Sequence, residues 1–585
     1  MNKKKIKVTD YIAKYLGRYT KHVFVGQGGS VVHLLDSIDK KKNLKNIPSQ
    51  NEQGASLAAD AYARLTGKIG FCVGTSGPGI INLLQGIACS YYDSIPTISF
   101  SGAVTLEAMK DRKKIRQAGF QQMDVVTMVK PFTKYAVLLK DPKKIKFELE
   151  KAIYLAVSGR PGPVVLDLPD DVQRAYISTK NLKSFKPKNV KNSKINIKSF
   201  QNLLNKSKRP ILIAGNGINL SKTGNQLISF LKKYNIPFVP TWATVDLFYD
   251  KKINFLNAGI FGVAASRHGN FAVQNADLLI CLGTRLNTQL TGSDPKSFAP
   301  KAKKIIVDID KSEFQKTNKL KIDLKINSCL KNFFKNISKV KVDKSQKYSN
   351  WLDKINLWKK TYPVLKENKL KKFKFINPYE FMDNLSKVTK KNDIIIPDAS
   401  ANLIWTYQGY NFTKKQTMFT ALNHSPMGYS VAASIGAQLA KKNSNVIAII
   451  GDGSMPMNIQ ELQTIKNFNI PVKVFIMNNS GYGLIKQTQE TWLKGNHVGV
   501  DAKSGLGLPD FKKVAKSYGL ETSLIKNSKN LKNQIKKILS SKKTNICDVI
   551  VDSKFRVRPK LESGKPIDDM SPMLKRSEFK KNQLL

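Results

Sequence analysis

Apolar residues in this chain fall into short runs, separated by stretches with helical spacing. Near the N-terminus the run HVFVG precedes a helical stretch through VVHLLDSI, and the run GKIGFCVG precedes another that starts after SGPG. Strands that alternate with helices in this way are typical of parallel, doubly wound sheets. We therefore predict that residues 1–182 form one α/β domain.

The same pattern returns twice further along the chain. A charged linker at roughly 183–198 leads to the strand-like runs RPILIAG, IPFVPTW, ADLLICLG and KKIIVDID, which predict a second sheet within residues 195–340. A Lys-rich linker at about 340–375 leads to a third block over 376–555, and residues 556–585 form a polar tail that is too sparse in apolar residues for another core. The predicted fold class is α/β, with three doubly wound parallel-sheet domains.

Composition narrows the class of protein but says little about its chemistry. A chain of 585 residues with 41% hydrophobic content fits a large globular enzyme. The apolar runs are far shorter than the roughly 20 residues that span a bilayer, and the N-terminus has no apolar signal core. We expect a cytoplasmic protein without a membrane partner. The five cysteines lack metal-type spacing, which favours reduced, buried thiols.

The formal net charge of +56 raises the question of nucleic-acid binding. The lysines, however, are spread over segments such as NKKKIK, LKSFKPKNVKNSK and KENKLKKFKF, all of which are candidate loops, helix faces or linkers. None of these segments contains a known nucleic-acid motif. We interpret the charge as a solvated basic surface and expect no nucleic-acid partner.

The third block carries the clearest chemical signal. Residues 451–479 read GDGSMPMNIQELQTIKNFNIPVKVFIMNN, in which a helical stretch lies between two strand-like runs. Asp452 and Asn479 therefore follow two parallel strands at the edge where open α/β sheets bind ligands. Carboxylate and amide oxygens suit Mg²⁺, which usually shares its ligands with phosphates. A backbone carbonyl of the loop SGYG, assigned to Gly481, is expected to supply a third oxygen.

The turn between the first strand and the helix is also suited to an anion. Gly451, Gly453 and Ser454 form this turn, and we expect the N–H groups of Gly453 and Ser454, with the N-terminus of the following helix, to face a diphosphate. A GDG turn alone is weak evidence because DG turns are common. The spacing of GDG, 24 residues and NN is more specific.

That spacing resembles the thiamine diphosphate (ThDP) signature. Over almost all of residues 10–555 the chain resembles the catalytic subunits of the acetolactate synthase (acetohydroxyacid synthase) family. NEQGASLAADAYARLTGK and TSGPGIINLLQGIACSYYDSIP are similar to the pyrimidine-binding domain of that family, and the third block to its diphosphate- and Mg²⁺-binding domain. The resemblance implies ThDP and Mg²⁺ as cofactors and pyruvate as a 2-oxo acid substrate.

The resemblance also implies how the subunits assemble. In the family the two halves of the ThDP site meet across a subunit interface, so we expect a homodimer or a homotetramer. Whether a regulatory subunit binds is left open.

The family assigns roles to four residues around the reacting carbon. Glu52 matches the glutamate that bonds the pyrimidine ring nitrogen of ThDP and so promotes deprotonation of the thiazolium C2. Without that match, a glutamate before a helix would be read as a capping or solvated residue. Gln121 and Lys134 match positions that line the substrate entrance, where Lys134 could attract a carboxylate. Gly28 matches a loop near C2 in which small residues let the substrate approach.

Two neighbouring residues match the part of the family site that supports the bent form of ThDP. Met427 resembles the apolar residue beneath the cofactor, and Gly428 would offer backbone contacts to the aminopyrimidine. A methionine in an apolar stretch is more often plain core, so its position in SPMGYS carries this assignment.

The central domain of the family often binds FAD that does no redox chemistry. Residues that retain part of this pattern are Gly215, Gly217, Gly283, Arg285 and Asp308. Phe261 and Gln289 replace the His and the second Arg that the family pattern would have. The retained residues favour FAD and the replacements count against it, so FAD stays an open expectation.

Three further positions depart from the family. The family usually has His before the catalytic glutamate, a GQHQ-type loop near the diphosphate and Trp after the metal loop. This chain has Asn51, the stretch ASANL at 399–403 and Thr488 there. Loss of the indole enlarges or repolarises the acceptor pocket, where one methylene is worth roughly 1–3 kcal/mol in discrimination. We expect an intact donor half of the site and an altered acceptor half.

The sequence thus predicts a ThDP-dependent carboligase with transferase and lyase-type chemistry. It would decarboxylate pyruvate and transfer the two-carbon unit to a second carbonyl; with pyruvate as acceptor the product is 2-acetolactate, a step of branched-chain amino-acid biosynthesis. Two alternatives stay open: simple 2-oxo acid decarboxylation, and acyl transfer to a nucleotide-linked ketosugar. The tail VRPKLESGKPIDDMSPMLKRSEF favours the ketosugar, since it resembles acetolactate-synthase-like proteins of surface-polysaccharide pathways. A non-catalytic, polyanion-binding scaffold would not need Glu52, Asp452 and Asn479 together.

Overall fold

Three open parallel sheets, each flanked by helices, follow one another along the chain. The computed structural model describes residues 5–110, 115–187, 195–318, 320–338, 340, 348–368 and 374–584. Every strand pair within the three large sheets is parallel. The predicted α/β class with three doubly wound domains is therefore confirmed.

The N-terminal domain contains a six-stranded sheet and a small antiparallel pair. Its strands are β1 (Lys5–Lys7), β2 (His22–Val25), β3 (Lys45–Pro48), β4 (Gly70–Gly74), β5 (Thr97–Ala103), β6 (Tyr135–Leu138), β7 (Val164–Pro169) and β8 (Tyr176–Ser178). Its helices are α1 (Val8–Leu16), α2 (Val32–Asp39), α3 (Glu52–Thr66), α4 (Pro78–Asp93), α5 (Val125–Val129), α6 (Ile145–Val157) and α7 (Asp170–Arg174). The sheet order is β3-β2-β4-β5-β7-β6, and β1 pairs with β8.

The central domain contains a five-stranded sheet in the order β10-β9-β11-β12-β13. Its strands are β9 (Pro210–Ala214), β10 (Phe238–Pro240), β11 (Leu278–Leu282), β12 (Lys303–Asp308) and β13 (Leu324–Asn327). Its helices are α8 (Ile197–Lys206), α9 (Gly217–Ser221), α10 (Gly224–Tyr234), α11 (Lys251–Asn254), α12 (Arg267–Gln274), α13 (Thr288–Thr291), α14 (Leu330–Ile337), α15 (Ser349–Thr361) and α16 (Val364–Glu367).

The C-terminal domain contains a second six-stranded sheet, in the order β15-β14-β16-β17-β19-β18. Its strands are β14 (Ile394–Pro397), β15 (Thr417–Met418), β16 (Val446–Gly451), β17 (Lys473–Asn478), β18 (Glu521–Ile525) and β19 (Asn545–Ile550). Its helices are α17 (Pro378–Val388), α18 (Ser400–Gly409), α19 (Tyr429–Ala440), α20 (Glu461–Asn467), α21 (Gly483–Trp492), α22 (Phe511–Ser517) and α23 (Leu531–Ser540). The tail adds β20 (Lys560–Leu561), β21 (Met570–Ser571) and α24 (Arg576–Lys581).

The two terminal domains are built to the same plan. Counted along the chain, the six strands of each large sheet lie in the spatial order 2-1-3-4-6-5. Their central strands are buried apolar runs, such as VIAII in β16, because helices cover both faces of a parallel sheet. Among the helices of the described ranges, none has the length and apolar character that a bilayer crossing requires.

Close packing of α3 on α19 joins the N-terminal and C-terminal domains. Apolar residues of both helices belong to one continuous core that includes strands of both sheets. A Cβ atom on Gly436 of α19 would lie 1.9 Å from the carbonyl oxygen of Ala58 of α3, so the two backbones touch there. Glycine at this position is what allows the approach.

A buried network of charges supports the same junction. Arg64 of α3 donates from Nε to Asp60 at 2.6 Å and from Nη2 to Asp93 of α4 at 2.8 Å. The hydroxyl of Tyr429, the first residue of α19, donates to Asp60 at 2.6 Å. Asp93 also accepts a hydrogen bond from the backbone N–H of Leu422 at 2.9 Å. Removing one partner from a buried set of this kind typically costs about 3–5 kcal/mol, since it strands a charge.

The predicted Lys-rich linker contains a buried helix, which is a correction to the sequence analysis. Trp351, Ile355 and Trp358 of α15 point into the core of the central domain. Their spacing is helical, but the many lysines on the outer face of the segment hide it. Residues 341–347 and 369–373 of this linker, and 188–194 of the first, lie outside the described residues.

The C-terminal tail lies on the central domain. As expected it has no core of its own, but Leu561 and Ile567 are buried in the core of the central domain. Arg267 of α12, which is 1% exposed, donates to the carbonyl oxygens of Met570 and Pro572. The tail therefore packs on the central domain and links the C-terminal domain to it.

Candidate active site

Glu52, the first residue of α3, lies in a narrow cleft between two glycine loops. A Cβ on Gly26 would lie 2.1 Å from Cγ of Glu52, and a Cβ on Gly79 would lie 3.3 Å from its Oε1. The other carboxylate oxygen, Oε2, accepts a hydrogen bond from Nδ2 of Asn82 at 3.0 Å. The helix is capped by the side chain of Asn51. Capping is thus the function of Asn51, and the carboxylate of Glu52 is available for other chemistry.

Two further predicted residues lie at the same edge of the N-terminal sheet. Gly28 follows β2 and packs against Thr75, which follows β4; a Cβ on Gly28 would lie 2.4 Å from Oγ1 of Thr75. Gln121 has a φ of +60° and lies against Gly77, where an added Cβ would come within 3.0 Å of the Cβ of Gln121. The structure therefore brings Gly28, Glu52 and Gln121 together.

Lys134 does not join this group within one chain. It precedes β6 and so lies at the amino-terminal edge of the sheet, opposite to the edge that carries Glu52. Its Nζ donates to the carbonyl oxygens of Leu155 and Ser158, at the C-terminus of α6. Burial lowers the pKa of this ammonium group to about 8. In this chain Lys134 supports the loop after α6, which borders the central cavity described below.

Asp452 is the first residue after β16 and is 1% exposed. Its Oδ1 accepts a hydrogen bond from the N–H of Gly453 at 2.8 Å, and its Oδ2 accepts one from the N–H of Gly481 at 2.9 Å. Burial raises the pKa of the carboxyl to about 7, although these N–H groups oppose the rise. A bound cation would offset the cost of burying this carboxylate.

Asn479, the first residue after β17, faces Asp452 across the edge of the sheet. One terminal atom of its side-chain amide lies 2.9 Å from the carbonyl oxygen of Gly481 and 3.2 Å from Oδ1 of Asp452. With the amide nitrogen in this position the group donates to both oxygens. This orientation satisfies both oxygens. With the amide oxygen there instead, oxygens of Asn479, Gly481 and Asp452 would face one another, an arrangement that suits the ligands of a cation. The structure thus brings together the three predicted metal ligands.

The turn after β16 is tighter than the sequence analysis expected. The N–H of Ser454 donates to the carbonyl oxygen of Gly451 at 3.0 Å, and the N–H of Gly453 bonds to Asp452. Both groups that were expected to face a diphosphate are used inside the turn. Gly453 is also required sterically, because a Cβ there would lie 2.2 Å from the ring of Tyr482.

Met427 and Gly428 form a fixed turn at the start of α19. Gly428 has a φ of +83°, which favours glycine, and its N–H donates to Asp398 at 3.0 Å. Its carbonyl oxygen accepts a hydrogen bond from Nδ2 of Asn458 at 3.1 Å. Asp398 follows β14 and is buried, which raises the pKa of its carboxyl. The turn is thus held between the ends of two strands of the C-terminal sheet.

A cavity of about 520 Å³ opens beside the central sheet and is bordered by all three domains. Four of the predicted FAD residues line it: Gly217, Gly283, Arg285 and Asp308. Gly215 does not line it but packs behind, where a Cβ would lie 2.3 Å from the carbonyl oxygen of Gly283. The cavity follows β9 and β11, between which the strand order reverses, the usual ligand site of such sheets.

Arg285, one of the polar residues that line this cavity, already has protein contacts. Nη1 of Arg285 donates to the carbonyl oxygen of Tyr92 at 3.0 Å, and its Nε lies 3.5 Å from Glu313. Burial raises the pKa of Asp308 to about 6. Phe261 and Gln289, the two replacements noted in the sequence, also line the cavity. Gly215, Gly217 and Gly283 let the chain after β9 approach the chain after β11. This close approach explains part of the glycine pattern without a bound nucleotide.

Thr488 lies on α21, the helix that begins in the metal loop. Its hydroxyl donates to the carbonyl oxygen of Leu484 at 3.0 Å, and Leu484 lines the central cavity. The hydroxyl proton is thus used within the helix in this structure, and the oxygen of Thr488 keeps a lone pair that can accept a hydrogen bond from a ligand. The other departure, ASANL, opens α18, and its Asn402 lies next to Gly451: a Cβ there would be 3.3 Å from Nδ2 of Asn402.

Four polar residues of the site were missed by the sequence analysis. They are Asn82, Asp398, Asn458 and Glu461, and each hydrogen-bonds a residue of the predicted site or the backbone beside it. Each lies in or next to an apolar stretch, as in PGIINLL and NIQELQTI. A polar residue at a predicted core position is a usable signal, because burial without a partner is costly.

Comparison with protein families assigns all three domains. Among the thiamine pyrophosphate (ThDP) enzymes, the model of the N-terminal TPP binding domain matches residues 6–128, that of the central domain 197–337, and that of the C-terminal TPP binding domain 398–549. The fold and the site therefore define a thiamine pyrophosphate enzyme.

Curated relatives narrow this class. The acetolactate synthase large subunit of Cyanidium caldarium is 32% identical, over 95% of this chain and 94% of the relative. That of Buchnera aphidicola is 32% identical, over 96% and 97%, and that of Lactococcus lactis is 31% identical, over 94% and 93%. The chain belongs to the acetolactate synthase large-subunit family of thiamine pyrophosphate enzymes, as its motifs predicted.

Replacing Asp452 tests the proposed metal centre. Asp452→Ala removes the only charged group among the three predicted ligands, so we expect Mg²⁺-dependent ThDP affinity to fall by at least about 100-fold, given that outer-shell partners alone are worth about 10–100-fold. Calorimetric titration of ThDP measures this. Asp393→Ala is the matched control, since this buried aspartate precedes β14 at the opposite edge of the same sheet. Undiminished ThDP affinity in Asp452→Ala would disprove the assignment.

Proposed function

We propose that this protein is a Mg²⁺- and ThDP-dependent carboligase that decarboxylates pyruvate and transfers the remaining two-carbon unit to a second carbonyl. The observation that carries the proposal is that the side-chain amide of Asn479 lies within 3.2 Å of both Oδ1 of Asp452 and the carbonyl oxygen of Gly481, at the strand ends of a ThDP-enzyme domain. The cleft that holds Glu52 supplies the other half of the chemistry. The family names support this reaction, since the relatives are called acetolactate synthases.

The spacing of these groups suits Mg²⁺ when the amide oxygen of Asn479 faces the other two oxygens. Neighbouring ligands of an octahedral ion with bonds of about 2.1 Å lie about 3.0 Å apart. The terminal amide atom of Asn479 lies 2.9 Å and 3.2 Å from its two neighbours, which matches that edge length. Asp452 would supply the negative charge, and the other positions would be left to diphosphate oxygens and water.

Bound ThDP supplies the carbon nucleophile and the electron sink that decarboxylation of a 2-oxo acid needs. Glu52 would hold a proton at the pyrimidine ring nitrogen. Asn82 fixes the carboxylate for this task, because it donates to Oε2 and leaves Oε1 on the side of Gly79. Glycine at position 26 leaves room for the Glu52 side chain, since a Cβ there would lie 2.1 Å from Cγ of Glu52.

The turn at the start of α19 would support ThDP in the middle, between its pyrimidine ring and its diphosphate. Met427 is half-buried and offers an apolar contact next to a rigid backbone. The carbonyl oxygen of Gly428 accepts from Asn458 and has a second lone pair for the aminopyrimidine. Gln121 and Gly28 would border the position of the 2-oxo acid, near the edge of the cleft.

The acceptor distinguishes two candidate functions. With pyruvate as acceptor the enzyme is an acetolactate synthase of branched-chain amino-acid biosynthesis. A nucleotide-linked ketosugar is the second candidate, favoured by Thr488: a small side chain with an accepting oxygen stands where the family has an indole. Simple decarboxylation is the result if no acceptor competes with a proton.

FAD is a further proposed ligand of the central cavity. The cavity has room at the switch point of the sheet, and Arg285 and Asp308 border it. Its function would be structural, because the carboligation has no net redox change. The contacts of Arg285 with Tyr92 and Glu313 would have to be kept or exchanged when a nucleotide enters.

Assembly and location belong to the same proposal. A homodimer or homotetramer follows from the family arrangement, in which the two halves of the site come from different subunits. The relatives are called large subunits, which supports a smaller regulatory partner as well. We place the enzyme in the cytoplasm.

Glu52→Gln tests the proposed proton transfer. Glutamine keeps the size of the side chain but cannot share a proton with the pyrimidine nitrogen, so ThDP should still bind while exchange of the C2 proton slows by at least about 100-fold, the usual minimum for a general acid–base group. The exchange is followed by NMR in D₂O. Glu107→Gln, at an exposed side chain, is the control. Exchange at the wild-type rate in Glu52→Gln would rule out this role.

Thr488→Trp tests the acceptor pocket. We expect the unmodified enzyme to show little preference for 2-oxobutyrate over pyruvate as second substrate, and the tryptophan to shift the preference toward 2-oxobutyrate roughly tenfold, the size of one added apolar contact. Product ratios from a mixture of the two acids are read by mass spectrometry.

The matched control for this experiment is Thr491→Trp. Thr491 lies on the same helix, makes the same kind of bond to the carbonyl oxygen four residues earlier, and is exposed. It should leave the product ratio unchanged. A strong preference for 2-oxobutyrate in the unmodified enzyme would contradict the position assigned to Thr488.

A further inference from the structure

Glu461 is a buried carboxylate that no part of the proposed mechanism uses. It is the first residue of α20, nine residues after Asp452, and its side chain is fully buried. Its Oε1 accepts a hydrogen bond from the backbone N–H of Asn51 at 3.1 Å, and its Oε2 accepts one from that of Gln50 at 3.4 Å and from the hydroxyl of Thr464 at 2.7 Å. The carboxylate of the C-terminal domain thus holds the two residues that precede Glu52.

The contact is close as well as polar. Gly54, in the first turn of α3, leaves the space that the carboxylate occupies: a Cβ there would lie 2.4 Å from Oε1 of Glu461. Glycine in the interior of a helix costs roughly 0.5–1 kcal/mol relative to alanine, so helix stability alone would favour alanine at this position. The glycine at position 54 is explained by the space that the Glu461 carboxylate occupies.

Burial makes this carboxylate expensive, and it raises the pKa of the Glu461 carboxyl. The backbone N–H groups of Gln50 and Asn51 and the hydroxyl of Thr464 oppose that rise. A side chain needed only for packing would be served better by an apolar residue of similar size. The carboxylate provides a fixed acceptor for the backbone N–H groups at the start of α3. The side chain of Asn51 does not do so, because it already accepts from the N–H of Gln53.

We propose that Glu461 is a positioning residue for Glu52: it fixes the backbone of residues 50–52 and so sets where the Glu52 carboxylate lies in its cleft. The inference rests on the function proposed for Glu52. It also joins the two chemical segments of one chain, because the segment that begins with Asp452 contacts the start of α3 directly.

The first test does not involve the cofactor. Amide hydrogen exchange of residues 50–54 is measured in the unloaded protein for Glu461→Gln and Glu461→Ala. We expect faster exchange at both Gln50 and Asn51 in Glu461→Ala, which removes both acceptor oxygens, and at one or other of them in Glu461→Gln, which keeps one acceptor oxygen, while the C-terminal half of α3 keeps its protection. Unchanged protection at both residues would overturn the proposal.

The second test separates positioning from stability. With ThDP and Mg²⁺ bound, C2 proton exchange should slow about 10-fold in Glu461→Gln and about 100-fold in Glu461→Ala, the size of a misplacement of about 1 Å. The affinity for ThDP should not change, because the metal ligands are untouched. A loss of affinity and of thermal stability with normal exchange in the bound state would show a merely structural role and overturn the proposal.

Gly54→Ala gives an independent variant that keeps the charge and improves helix propensity. Its methyl group displaces the Glu461 carboxylate, so we expect C2 exchange to slow about 10-fold although α3 is not weakened. Combined with Glu461→Ala, it should cause no further loss, because the clashing partner is gone. Additive losses in the double variant, or wild-type exchange in Gly54→Ala, would contradict the proposal.

The control variant is Glu148→Gln. Glu148 is another buried carboxylate of the N-terminal domain, and the hydroxyl of Tyr135 donates to it at 2.7 Å on the edge strand farthest from Glu52. It should change neither measurement. If the wild-type protein fails to accelerate C2 exchange of ThDP, the proposed function has failed, and amide exchange at residues 50–52 alone decides whether Glu461 positions this segment.

Discussion

The packing of α3 on α19 is the contact on which the rest of the molecule depends. The two backbones touch where Gly436 meets Ala58, and this approach needs both glycine and a small residue. The buried pair of Asp60 and Arg64 then links both helices to α4 and to the chain that precedes α19. Since α3 begins at Glu52 and α19 follows Gly428, this interface determines how the two half-sites of one chain lie relative to each other; in the proposed assembly each half-site is completed by the other subunit.

Chemical groups and the groups that position them come from different parts of the chain. The reactive or ligating side chains stand at strand ends, where a parallel sheet exposes them. Their supports come from far away in sequence: Glu461 holds Asn51, and Asp93 holds Leu422. Buried polar contacts of this kind leave few alternatives for the backbone, since each unpaired group would be costly. The site is therefore as rigid as the packing between its domains.

Much of the fold and part of the site could be predicted from local pattern. The apolar runs predict the parallel strands. The spacing from Asp452 to Asn479 predicts that both residues follow neighbouring strands at one edge of the sheet. The contacts of Lys134 and Glu461 could not be predicted, because their partners are set by tertiary packing. The hydrogen bonds that the N–H groups of Gly453 and Ser454 make within the turn could not be predicted either. The sequence predicts a linker where the helix with Trp351 and Trp358 lies, because lysines on its outer face dominate the composition.

We propose that these residues activate ThDP for the decarboxylation of pyruvate. The most direct measurement follows [1-¹³C]pyruvate by NMR with the wild-type protein, ThDP and Mg²⁺, without an added acceptor. We expect catalytic release of the label as CO₂ and bicarbonate, because that step needs only the donor half of the site. If the label stays in pyruvate although the protein has bound ThDP and Mg²⁺, these residues do not activate ThDP for decarboxylation.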